Sequence, residues 1–185
     1  SELEKIREDM RELVERLKEA NDRMREKIRK ILEDVDREHE EVRKRIEELV
    51  KRARETIERI RDKRTLDEVL KKVEEELRRA LKRLDEINER VKRDIRRLLE
   101  EDKRLVEEAA RRLKKLLEDL DKSRAEKDKV KKVKEDVKRL LDELRKHSEK
   151  VIREVEKLLR ESNEKVKRVK EKLEELLRRL RERSR

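Results

Sequence analysis

The chain has 185 residues, a length that suits one domain or two, and 62% of them are Asp, Glu, Lys or Arg, against about 25% in an average domain. Gly, Pro, Cys, Trp, Tyr and Phe are absent, as is Gln, and 63 basic against 52 acidic residues leave a net charge of +11. These absences exclude phosphate-cradling Gly loops, thiol nucleophiles, disulfides, Cys-ligated zinc and aromatic platforms for bases, and they disfavour sheets joined by tight hairpins, whose turns need positive φ.

An apolar share of 31% beside so much charge is also a signature of disorder, so the spacing of the apolar residues decides. From Leu3 the series runs Ile6, Met10, Leu13, Leu17, Ala20, Met24, Ile28, Ile31 and Val35, then Val42, Ile46, Leu49, Ala53, Ile57 and Ile60. Steps of three and four alternate, which is one face of a helix and not a strand. The series restarts at Leu66, runs to Leu120, and restarts again from Val130 to Leu180. It stops in Arg61-Asp62-Lys63-Arg64 and in Asp121-Lys122. Helices are therefore expected over about 2–62, 66–121 and 124–183. Three Ser/Thr-x-x-Glu patterns read as capping boxes that open them: Ser1 with Glu4, Thr65 with Glu68, and Ser123 with Glu126. At 1.5 Å per residue each helix would be about 90 Å long. Short connections force neighbours antiparallel, so the expected fold is an all-α, single-chain, up-down-up three-helix bundle forming one domain over 1–185.

Leu66, Leu84, Asp102 and Leu120 repeat every 18 residues, which is five turns of an unstrained helix. Such a repeat leaves helices nearly straight, whereas strict heptads supercoil them. Helix 1 starts nearer to heptads and then drifts to the longer repeat. Second apolar residues beside the seam (Val14, Leu32, Val50, Val69, Leu117 and Leu141 among them) widen the stripe, as a shared three-helix core requires.

With Leu, Ile and Val in the seam, Glu, Lys and Arg outside, and a capping box before each helix, the whole chain resembles de novo designed, parametrically built helical bundles. That resemblance implies a synthetic, soluble, hyperstable scaffold, made in the cytoplasm of an expression host, with no natural biochemical activity. The chain departs from the pattern in having no Gly after any helix. Spectrin-like repeats are the natural competitor, but they carry buried Trp and a less uniform surface. No targeting segment is visible, and Ser1 in place of Met fits a processed or tag-cleaved chain.

Four polar residues interrupt the seam. Helix 1 has His39 between Val35 and Val42, and helix 2 has Asp102 between Leu98 and Leu105. Helix 3 offers His147 or Ser148 between Leu144 and Val151, and Ser162 or Asn163 between Leu159 and Val166. Asn21, Asn88 and Thr56 lie at its edges. Folding the chain at its loops gathers these into two polar layers. One joins His39 with Asn88 and Ser162 or Asn163; the other joins Asp102 with His147 or Ser148 and reaches toward Asn21. A buried polar group left unpaired costs about 1–3 kcal/mol, so such layers would select one register of an otherwise uniform core. The alternative is that these side chains turn to the rim and are solvated.

Catalysis is not expected. Asp102-His147-Ser148 and Asn88-His39-Ser162 have triad composition, but neighbouring helical residues point about 100° apart, and no oxyanion hole or substrate cleft accompanies them. The two His fall in different layers, so no metal site and no cofactor is expected. Helix 3 carries +9 of the net charge, densest over Lys127 to Arg139 with Lys129, Lys131, Lys132, Lys134 and Lys138. That supports at most weak, non-specific polyanion binding at low salt. Long apolar runs that would enter a membrane are missing. The expected protein is a monomer that needs no partner. Two alternatives stay open: a pH-responsive switch using buried His39 and His147, or a module that assembles with other helices.

Overall fold

The computed structural model describes residues 2–183. The chain forms three helices, α1 (Glu2–Arg59), α2 (Lys63–Asp121) and α3 (Lys127–Arg183), with no strand among the described residues. Burial follows the expected period. Met10, Ile28 and Ile46 are buried in α1 at 18-residue intervals, as are Leu84, Asp102 and Leu120 in α2, and Leu144, Ser162 and Leu180 in α3. Each set stays on one side of its helix because 18 residues complete five turns. The polar members occupy core positions of the same repeat that elsewhere carries Leu. Several residues expected beside the seam, including Val14, Leu32, Val50 and Leu141, are themselves buried. Leu105 is a correction in the other direction. It is 47% exposed, and the seam passes from Ile95 through Asp102 to Ala109.

The chain divides into two compact units, and each takes a stretch of all three helices. Ser1–Arg29 with Asp94–Lys157 forms the first, around Met10, Val14, Leu113, Val137 and Leu144. Lys30–Arg93 with Leu158–Arg185 forms the second, around Ile46, Val50, Leu77, Leu84 and Leu173. The divisions fall inside helices, not at linkers.

The helix ends differ from the sequence expectation. Helix α2 begins at Lys63, before Thr65, because Asp62 is its N-cap. The Asp62 carbonyl accepts from Leu66 N–H at 3.1 Å and its Oδ1 from Arg64 N–H at 3.3 Å, while Thr65 Oγ1 donates to Oδ2 at 3.0 Å. A carboxylate in the cap also opposes the positive end of the helix dipole. Thr65 is therefore the third helical residue, and Glu68 lies a further turn in and exposed. Helix α3 begins at Lys127, three residues later than expected. Ser123 accepts from Ala125 N–H at 3.2 Å in the loop, and the Glu126 carbonyl accepts the first helical bond, from Val130 N–H at 3.1 Å. For the first capping box, Ser1 lies outside the described residues. Among the described residues none has positive φ. Helices α1 and α2 end without the left-handed residue that Gly usually supplies. They close instead on tightened i→i+3 bonds, Ile60 N–H to Ile57 and Ser123 N–H to Leu120, both 3.2 Å.

Candidate polar layers

In the first unit, adjacent residues of α1 reach the other two helices. Asn21 is 0% exposed and Asp102 of α2 is 6% exposed. With its amide nitrogen toward the carboxylate, Asn21 donates to both Asp102 oxygens at 2.5 Å. The neighbouring Asp22 meets α3, with His147 Nε2 3.0 Å from its Oδ1. Arg25, one turn on, lies 3.5 Å from the same oxygen and donates to Glu154 Oε2 at 2.7 Å. That bond raises the pKa of Arg25 and lowers that of Glu154.

The one-turn neighbours of Asp102 on its own helix are Leu98, Leu99, Leu105 and Val106, so the helix itself offers the carboxylate no polar support. Burial pushes its pKa up to about 6, with the nearby His147 pulling the other way.

The expected Asp102 bond to His147 or Ser148 does not form; His147 turns to Asp22, and Ser148 is half-buried with no side-chain hydrogen bond among the described residues. The reason is helix offset. Residues 22 and 147 are 125 apart, and the pairs 25–154 and 36–165 are 129 apart. The loops alone suggested an offset of about 118, roughly two turns less. The true offset brings His147 level with Asn21 and Asp22.

The second unit corrects the other expected layer. His39 is 4% exposed, yet neither ring nitrogen has a hydrogen-bond partner. Ser162 is buried, Asn88 half-buried and Asn163 exposed, and none of them bonds the imidazole. At the observed offset His39 stands level with buried Val166, and Ser162 falls about a turn away. Thr56 is exposed and returns its hydroxyl to the Arg52 carbonyl at 2.8 Å. Burial lowers the pKa of His39; Asp36 and Glu38 counteract it, and Lys170 adds to it.

Sequence reasoning missed Asp22, Arg25 and Glu154. The available signal was the position of Asp22 beside the seam residue Asn21, but in a chain that is 62% charged one more carboxylate does not stand out.

A groove of about 690 Å³ lies between the start of α1 and the α2–α3 loop, lined by Leu3, Ile6, Leu116, Leu120 and Ala125 among others. Its charged lining residues, including Asp119, Arg124 and Lys129, are exposed. No group of three or more His, Asp or Glu among the described residues could hold a metal ion. No helix among them is long and apolar enough to cross a membrane.

The architecture is that of an antiparallel three-helix bundle. A solved structure described as a computationally designed three helix bundle is similar to it, with a TM-score of 0.73 and 21% sequence identity over 98% of this chain and 89% of that one. No protein-family model and no curated protein matches the chain. At 21% identity the likeness concerns the fold.

Proposed function

We propose that the chain is itself a designed structural scaffold: a single-domain, monomeric, non-enzymatic bundle in which buried polar residues set the helix register. The observation that carries this reading is the Asn21–Asp102 contact, with Asp22–His147 beside it, which ties α1 to both other helices at one height. A slide of one helix by a turn would strand a buried amide against a carboxylate, at about 1–3 kcal/mol for each group left unpaired. The shared fold, the 18-residue burial repeat and the 62% charged composition support a designed origin. Idealised designs of this kind are hyperstable.

Guanidinium unfolding followed by circular dichroism at pH 7.4, with sedimentation equilibrium alongside, tests the proposal. A single transition from a 23.0 kDa monomer, with a guanidinium midpoint above about 5 M, is the expected result. A dimer mass, or two separated transitions, would overturn it.

A second reading is favoured by one observation. His39 is buried without a partner, so acid acting on it would loosen the second unit. His147, paired with Asp22 at the half-buried rim, does not add to that reading.

A further inference from the structure

Each compact unit buries one unsupported titratable side chain in its seam, and the two are of opposite chemical type. In the unit of Lys30–Arg93 and Leu158–Arg185 it is His39, whose two ring nitrogens are unpartnered. In the unit of Ser1–Arg29 and Asp94–Lys157 it is Asp102, whose hydrogen-bonding neighbour is the neutral amide of Asn21. A base buried without an acceptor resists taking up a proton. An acid buried without a cation on it resists giving one up.

We infer that the two units respond to mild acid in opposite directions: acidification loosens the unit that contains His39 and tightens the unit that contains Asp102.

The charges around each group sustain that asymmetry. Facing His39 are Asp36 and Glu38 from its own helix and Lys170 from α3. Each carboxylate already pairs with a cation, Asp36 Oδ2 with Lys165 of α3 at 3.0 Å and Glu38 with Arg90 of α2 at 3.1 Å, while the buried Asp36 Oδ1 bonds nothing. Lys170 is bound to Asp85 of α2, and Arg43, one turn along α1, is held by Glu40 and Glu47. None of these groups hydrogen-bonds the ring, and the burial that disfavours an imidazolium outweighs the pull of the two carboxylates. Near Asp102 the titratable group on α3 is His147, whose ring hydrogen-bonds Asp22 of α1.

The signs follow by linkage. His39 has a folded pKa below its ordinary 6.5, so its unit is stable above that pH and loses stability as pH falls below it. Asp102 has a folded pKa raised from 3.8 to about 6, so its unit gains stability as pH falls through 6 toward 4. Between pH 7.4 and pH 5 Asp102 shifts the opening equilibrium of its unit by about tenfold toward the closed form, and His39 shifts that of its own unit in the opposite sense.

Hydrogen exchange of the full chain, read by mass spectrometry at pH 7.4 and pH 5 and corrected for intrinsic rates, tests this. Protection is expected to fall in 40–59, 63–84 and 166–183, and to rise about tenfold in 2–22, 102–121 and 127–148. His39→Leu should abolish the loss, and Asp102→Asn should abolish the gain while leaving the loss in place. Equal changes in both sets of peptides, or a loss that survives His39→Leu, would overturn the inference. It is independent of the scaffold reading, because a dimer mass would sink that reading and leave the exchange pattern untouched.

Discussion

Asp102 occupies a core position that carries Leu at 84 and again at 120. Burial raises its carboxyl from 3.8 to about 6, so at neutral pH the buried anion opposes folding, a penalty that the amide of Asn21 offsets in part when its nitrogen faces the carboxylate. Since the folded group binds its proton more tightly than the unfolded one, that penalty is absent below about pH 4 and complete above about pH 6. Asp102→Asn keeps a polar partner for Asn21 and removes the charge. It should raise the unfolding free energy by about 2 kcal/mol at pH 7.4 and by little at pH 4, as read from guanidinium midpoints. His39→Leu replaces an unpartnered ring by the side chain its repeat position favours. A gain of about 1 kcal/mol at pH 7.4, growing as pH falls below 6.5, is the expected outcome in the same assay. Both residues are legible in the sequence as breaks in an apolar series. Their partners are not, because a partner is chosen by the neighbouring helix.

Among the elements, the helices follow from local chemistry and their ends from finer competition. An apolar residue every three or four positions, with no Gly or Pro to interrupt, leaves the chain no alternative to helix over nearly sixty residues at a time. The ends were harder to read because Asp62 sat inside a charged run that looked like a linker, while Thr65 and Glu68 matched a familiar motif. Asp is at least as good a cap as Thr and stands nearer the break in the apolar series. Asp62→Ala should therefore cost about 1 kcal/mol, whereas Thr65→Ala should cost distinctly less, a comparison that thermal unfolding of the two variants settles. The reverse order would return the cap to Thr65. Across α1 and α3 the ion pairs Lys18–Glu143 and Lys172–Glu47 repeat the 125-residue offset. They report register more than they stabilise it, since exposed pairs contribute about 0–1 kcal/mol each.

For the whole molecule, the net charge of +11 raises the question of polyanions. Several cations at the start of α3 already have anions. Lys134 is bound to Asp121, Lys129 lies 3.8 Å from Glu126, and Arg7 and Arg139 share Asp136. Partial pairing of this kind should leave a diffuse field in place of a shaped anion site. We expect retention on immobilised heparin at about 20 mM salt and release by about 150 mM. Retention well above that salt would point to a built anion site. Three helices, the course of each apolar face and the seam positions that turn polar can all be read from residue order, because a helix is specified by its own backbone bonds and its 3.6-residue period. That Asp102 faces Asn21, that His147 meets Asp22 and that neither ring nitrogen of His39 finds a hydrogen-bond partner emerge from the packing of the helices. Those pairings depend on how far one helix is displaced along another, and that displacement is set jointly by loop conformation and by side-chain packing contributed from all three helices.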